Sequence, residues 1–213
     1  MEQKETFWSK TANDFEEKNN MIIGEESMQI VLDTLGKETN LGDTLELACG
    51  NGTYSKTLFN NADTLTCTDF SEEMVTETKR RLKDFPDIQI EQANCFQLQY
   101  ADDSFDTVFM ANLLHIIPKP EKALDEASRV LKPNGQIITL DFTTQGMKFM
   151  DKMRMLYLFL KFYGKPPKGG KNIGDKKLKV MFENTGLKVE FSKIIGAKSK
   201  AVFGKASKIK SSD

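Results

Sequence analysis

Leu45–Ser55 reads LELACGNGTYS, and seventeen residues beyond Gly52 comes Asp69, in the stretch LTCTDFS. A short apolar run with an acid in it, a turn carrying Gly50 and Gly52, and then helix-forming sequence describe a strand, a tight loop and a helix start. Glycine there lets the backbone turn sharply and lets a ligand approach without a Cβ in the way. Asp69 falls at the end of the next expected strand, where a carboxylate can accept hydrogen bonds from both hydroxyls of a ribose. The pattern describes a nucleoside-binding crevice. As a Gly-x-Gly-x-x-Gly motif it is incomplete, because Ser55 stands at the third glycine. Glu46, four positions before Gly50, puts a carboxylate beside the loop, which suits an ammonium group better than a pyrophosphate.

Outward from the loop, strands and helices alternate. Two helical stretches precede it: Glu5–Asn19, with Phe7, Trp8, Ala12 and Phe15 at helical spacing, and a second around Met28, Ile30, Val31, Leu32 and Leu35, ended by Gly36. Strands are expected at Thr44–Ala48, Thr64–Asp69, Ile88–Gln92, Phe105–Met110 and Gln136–Phe142. Helices are expected directly after Gly52, at Ser71–Leu82 with Ser71 as N-cap, and at Glu121–Leu131. Lys132–Gly135 reads as a turn. This βαβ repetition predicts an α/β fold with a parallel sheet covered by helices on both faces. Beyond it come an apolar helix at Met147–Tyr163, a Gly/Pro/Lys loop at Gly164–Gly174, a helix at Lys176–Asn184, and two strands, Leu187–Ile195 and Ala201–Lys205, close enough to pair antiparallel.

The spacing of strand, acid, loop and second acid resembles the class I S-adenosylmethionine-dependent methyltransferases. The likeness extends over about residues 40–143, through Phe105–Val108 into Ala111–His115 and through LDEASRVLKPNG at Leu124–Gly135. Its nearest pattern is that of small-molecule enzymes similar to the methyltransferases of quinone biosynthesis. The resemblance implies a Rossmann-like, doubly wound, seven-stranded sheet in the order 3-2-1-4-5-7-6 with strand 7 antiparallel, N-terminal helices and a helical insertion after strand 5. It implies one methyltransferase domain over 1–213, divided into a helical cap at 1–39, a cofactor-binding core at 40–143, and a lid helix with C-terminal strands at 144–213. It also implies S-adenosylmethionine as cofactor, S-adenosylhomocysteine as its product form, and an in-line transfer to the O, C or S atom of a small, apolar or anionic acceptor.

Residue by residue, the resemblance assigns cofactor binding to Glu46, Ala48, Gly50, Gly52, Thr53, Asp69, Phe70, Asn94, Cys95, Phe96 and Ala111. Glu46 would meet the ammonium and Asp69 the ribose. Phe70 would pack on the adenine, with Asn94 and Cys95 at its edge. Thr53 and Tyr54 would open a helix whose free amides face the cofactor, Tyr54 being equally a surface residue. Ala48 stands where the family usually has glycine, and Asn94 where it often has an acid. His115, the one histidine of the chain, follows strand four and is the candidate base, with loop-fixing as the alternative. Trp8, Phe15, Met147 and Met150 are candidates for the acceptor pocket.

Composition bounds the alternatives. The chain has 213 residues, 39% hydrophobic and 29% charged, ordinary for a globular domain. Three cysteines, Cys49, Cys67 and Cys95, show no metal-ligand spacing, so no metal and a reduced cytoplasmic setting are expected. The net charge of −1 conceals −13 over residues 1–144 against +12 over 145–213. A basic face could meet an anionic substrate or a membrane surface through 147–168, or the two parts could simply attract each other. Nucleic acid is a weaker candidate, for lack of interleaved aromatics. The rival functions are a membrane-associated lipid methyltransferase and an NAD-dependent Rossmann oxidoreductase. Monomer and homodimer are both compatible with the sequence.

Overall fold

In the computed structural model, residues 15–165 and 170–209 are described. The expected helix at Glu5–Asn19 lies largely outside them, and so does Trp8; Phe15 opens the first described helix. The order is α1 (Phe15–Ile23), α2 (Glu25–Leu35), β1 (Asp43–Leu47), α3 (Ser55–Phe59), β2 (Thr64–Asp69), α4 (Glu72–Arg81), β3 (Gln89–Gln92), β4 (Phe105–Ala111), α5 (Pro120–Val130), β5 (Leu131–Thr143), α6 (Phe149–Tyr163), α7 (Asp175–Asn184), β6 (Leu187–Ile195) and β7 (Lys200–Lys208). One seven-stranded sheet joins all the strands in the order β3-β2-β1-β4-β5-β7-β6, and β7 runs antiparallel to both neighbours.

Local chemistry accounts for the elements. β1 and β4 are almost wholly buried, as strands covered on both faces must be. Ser71 caps α4 by accepting the Met74 amide at 3.2 Å, with Glu72 and Glu73 in the first turn and Lys79, Arg80 and Arg81 in the last, all matched to the helix dipole. α5 starts with Pro120, whose missing N–H costs nothing at a first turn. Two apolar clusters fill the two sides of the sheet. One gathers Leu45, Val108, Leu124 and Phe182; the other gathers Val31, Leu58, Phe109 and Phe203.

Two expectations change. The Lys132–Gly135 turn does not precede the fifth strand but sits inside it. Leu131 pairs with Phe105 and Gln136 with Thr107, so four residues bulge out between consecutive ladder positions, Asn134 taking φ 64°. The helix after Gly52 is one short turn, Ser55–Phe59, and Thr53 and Tyr54 lie in the turn before it. The loop is therefore held by side chains more than by helix amides.

The parallel strands β1, β4 and β5 end at Leu47, Ala111 and Thr143, on one edge of the sheet. The strand order reverses between β1 and β4, and a crevice opens there in doubly wound sheets.

Candidate active site

Loop geometry separates the two glycines. Gly50 has φ 58° and Gly52 φ 77°, both in the left-handed region. A Cβ added at Gly50 would meet nothing within 4 Å, whereas one at Gly52 would lie 3.1 Å from Thr78 Cγ2 and 3.4 Å from Leu82 Cδ1. Gly50 therefore opens toward free space, and Gly52 packs against α4. Ala48 also takes φ 56°, a conformation that costs an alanine about 1 kcal/mol and suits the glycine the family usually has there.

Asp69 pins the loop from the end of β2. Its Oδ2 accepts the Gly50 amide and its Oδ1 the Ser71 amide, both at 2.9 Å. From α4, Thr78 Oγ1 donates to the Gly50 carbonyl at 2.6 Å, and the Gly52 amide donates to the Cys49 carbonyl at 2.9 Å. Thr53 donates to Asn51 Oδ1 at 2.7 Å, closing the outer turn. Phe70 is half-buried beside Asp69, with Gln92 Nε2 bonded to its carbonyl at 2.8 Å.

Glu46 is not a rim residue. It is 1% exposed, beneath the loop. Its Oε2 accepts Ser55 Oγ at 2.6 Å and Cys67 Sγ at 3.2 Å, while the buried Oε1 has no donor among the described residues. Loss of solvent pushes its pKa up to about 7, opposed by the Ser55 and Cys67 bonds and aided by the nearby charge of Asp69. Burial likewise raises the Cys49 thiol, and lifts Cys95 to about 12, which disfavours the thiolate at both.

After β3, Asn94, Cys95 and Phe96 are half-buried together. The Asn94 carbonyl Oδ1 accepts the Phe96 amide at 3.0 Å, so part of the capacity assigned to an adenine amine shapes the turn instead. Ala111 ends β4, buried against the loop-side cluster.

Sequence reasoning missed the polar contacts that join Tyr54 to Asn112 and His115 to Asp141. Tyr54 is buried, not superficial; its ring meets Phe109 edge-on at 5.9 Å, and its hydroxyl meets Asn112. Burial raises its pKa, and the charges of Glu46 and Asp141 raise it further. Asn112 takes φ 54° and accepts the Phe142 amide at 3.1 Å. Asp141, on β5, is fully buried, with Oδ1 2.7 Å from His115 Nδ1. A lone acid inside the apolar run Ile137–Phe142 is the signal that could have found it.

The pocket candidates separate. Met147 is buried, but Met150 is 74% exposed, because α6 begins at Phe149 and turns that face outward. The acceptor-pocket assignment of Met150 is corrected accordingly. α6 rests on α1, where Arg154 donates to the Met21 and Ile22 carbonyls at 2.9 and 3.3 Å. Among the described residues, no group of His, Cys, Asp and Glu could hold a metal ion.

The residues fit a ligand with a ribose and an ammonium: open space over Gly50, a carboxylate at the rim, and a second carboxylate below with an unpartnered oxygen. Residues 45–139 match the methyltransferase domain family. A demethylmenaquinone methyltransferase of Clavibacter sepedonicus is 30% identical over 158 residues, covering 73% of this chain and 64% of the relative. A ubiquinone/menaquinone biosynthesis C-methyltransferase of Rickettsia peacockii is 33% identical over 124 residues, covering 54% and 50%. The chain thus spans about half to two thirds of the length of these curated relatives. In three dimensions it superposes on a SAM-dependent methyltransferase from Thermotoga maritima with a TM-score of 0.71 at 19% identity, over 95% of this chain and 99% of the other. Over residues 45–139 the chain is similar to the methyltransferase domain family, and sheet order and superposition show the class I, Rossmann-like methyltransferase fold.

Proposed function

We propose that this chain is an enzyme that transfers the methyl group of S-adenosylmethionine to a small acceptor. The observation that carries it is the glycine loop held between two carboxylates, Asp69 at the rim and Glu46 beneath, with open space over Gly50. In this reading Asp69 holds the ribose, Glu46 supplies the negative charge opposite the ammonium, and Phe70, Asn94, Cys95 and Phe96 border the adenine. Bound there, the cofactor brings a methyl group already activated by its sulfonium, so the chain needs no nucleophile of its own. Its residues hold the acceptor in line, about 3 Å from the methyl, and exclude water. The names of the relatives, a demethylmenaquinone methyltransferase and a C-methyltransferase of quinone biosynthesis, support a small apolar acceptor. Met147, buried between β5 and α6, remains a candidate for the acceptor pocket, as do Trp8 and Phe15 from the N-terminal segment.

Thermal shift tests the cofactor: S-adenosylhomocysteine should raise the melting temperature and NADH should leave it unchanged. The reverse result would restore the dehydrogenase reading. Incubation with methyl-labelled cofactor and a panel of quinols, phenols, thiols and amines then tests transfer.

One further observation bears on where the enzyme works. Of the fifteen residues of α6 only Tyr163 is buried, although the helix is mostly apolar. Phe149, Met150, Met153, Leu156, Tyr157 and Leu160 are exposed on it, with Lys148, Lys161 and Lys165 exposed nearby. Among the described residues no helix is long and apolar enough to cross a membrane. We take α6 to lie on an anionic membrane surface, and we place the enzyme in the cytoplasm, where Cys49, Cys67 and Cys95 stay as free thiols.

A further inference from the structure

We propose that Ser55 and Cys67 are positioning residues for the cofactor: they hold the Glu46 carboxylate by one oxygen and keep the other open for an ammonium. The crevice is thereby selective for adenosyl thioethers that carry an amino-acid ammonium. This rests on the methyl-transfer reading above and deepens it.

Glu46 is fixed from several sides. Its partner across the β1–β2 ladder is Cys67, so the two side chains share a face of the sheet. Thr68 Oγ1 donates to the Glu46 carbonyl at 2.9 Å and holds the main chain. Ser55 stands where a dinucleotide loop has its third glycine, and it opens α3. Its hydroxyl donates to Glu46 Oε2 at 2.6 Å, and Cys67 Sγ donates to the same oxygen at 3.2 Å. Both donors are fully buried.

Two donors from two elements thus fall on one oxygen, and Oε1 receives none among the described residues. A buried acid that serves packing alone has donors on both oxygens, since an orphaned charged oxygen carries a desolvation cost that nothing offsets. With Oε2 engaged, a proton and a cation compete for Oε1.

The titratable groups around Glu46 suit that competition. Burial holds the thiols of Cys49 and Cys67 and the phenol of Tyr54 in their neutral forms, so none of them supplies a charge. Cys67 therefore remains a donor. Asp69, at the end of β2, adds a like charge that favours the protonated acid, in the same direction as the loss of solvent. Glu46 accordingly titrates at about 7. Ser55 and Cys67 oppose both effects, because a hydroxyl or thiol donor favours the ionised form. The ionised form is the one that an ammonium pairs with. A nucleoside without an ammonium leaves that carboxylate unpartnered.

Calorimetric titration with two probes between pH 6 and pH 8 reads this on unmodified protein. S-adenosylhomocysteine carries the ammonium; 5′-methylthioadenosine has the same adenosine and a thioether without it. Affinity for S-adenosylhomocysteine should fall about tenfold from pH 8 to pH 6 as the proton occupies Oε1, while that for methylthioadenosine changes less than about twofold. Ser55→Ala removes a donor from the ionised form, so the midpoint of the S-adenosylhomocysteine profile should move up by about one pH unit, and Cys67→Ala should move it less. Ser55→Thr keeps the hydroxyl and should keep the wild-type midpoint, even where it lowers the melting temperature. A serine that only packs would, on truncation, weaken both probes alike and leave the midpoint in place. Parallel pH profiles for the two probes, or a Ser55→Ala midpoint equal to wild type, overturn the proposal. Binding of neither probe at any pH would sink the function proposed above, whereas each overturning result is read on protein that binds S-adenosylhomocysteine.

Discussion

At the scale of single residues, the two glycines of the loop should fail in different ways. Gly50→Ala puts a methyl into open space at φ 58°, so it should weaken S-adenosylhomocysteine binding tenfold or more at a stability cost near 1 kcal/mol. Gly52→Ala faces Thr78 at 3.1 Å and should instead lower the melting temperature with a smaller effect on affinity. Calorimetric titration paired with thermal melts reads both, and equal behaviour of the two variants would mean that the cradle is misplaced. Glu46 gives a second residue-scale test. Its pKa is raised to about 7, above that of the unfolded chain, so its contribution to stability is present at low pH and is lost as pH rises through 7. The span from the ordinary carboxylate value corresponds to a loss on the order of 3 kcal/mol. Glu46→Gln should flatten the decline of stability between pH 5 and pH 8. An ammonium bound above the loop favours the ionised form, so binding of S-adenosylhomocysteine near pH 6.5 should release a fraction of a proton, measurable by titration calorimetry in buffers of different ionisation heat. No proton linkage would separate Glu46 from the ammonium.

Among the elements, the sheet was legible from spacing because each strand announces itself by apolar content between turn residues, and Ser71 announces its helix by chemistry. The placement of Gly50 just after β1 and of Asp69 at the end of β2 was legible for the same reason, since both depend on local order along the chain. What escaped was contact across elements. Tyr54 looked equally like a surface residue because nothing local shows that Phe109 and Asn112 close over it. Asp141 sat unremarked in ITLDF because its partner is 26 residues away in sequence. Met150 was misassigned since helical spacing alone does not say which face a helix turns inward. The β7–α7 contact is of the same nonlocal kind. A Cβ at Gly204 would lie 2.5 Å from Leu178 Cδ2 and 3.0 Å from Phe182 Cε2, both fully buried. Gly204→Val should therefore cost about 1–3 kcal/mol by overpacking. A urea midpoint that falls at constant slope is the expected result; an unchanged midpoint would mean that α7 shifts freely on the sheet.

For the whole molecule, charge is divided between an acidic N-terminal part and a basic C-terminal part, and the structure spends some of that difference internally. Lys205 pairs with Glu38 at 3.0 Å and Lys208 with Asp103 at 2.7 Å, each tying β7 to the acidic portion. Such attraction was the plain reading of the asymmetry, and for β7 it holds. α6 is different: its apolar side chains lie open in company with exposed lysines. Placed on an anionic bilayer, it would bring the end of β5, separated from it by residues 144–148 alone, to the surface where an apolar acceptor partitions. Each lysine near the surface contributes about 1 kcal/mol, an attraction that salt screens. The protein should therefore co-sediment with vesicles containing phosphatidylserine at low salt, bind several-fold less at 0.5 M salt, and ignore vesicles of phosphatidylcholine alone. Leu156→Glu with Leu160→Glu, both on the exposed face, should abolish vesicle binding while S-adenosylhomocysteine affinity holds. If the same double variant instead dissociates a dimer detected by light scattering, the face is covered by a second copy of the chain and the membrane placement is wrong.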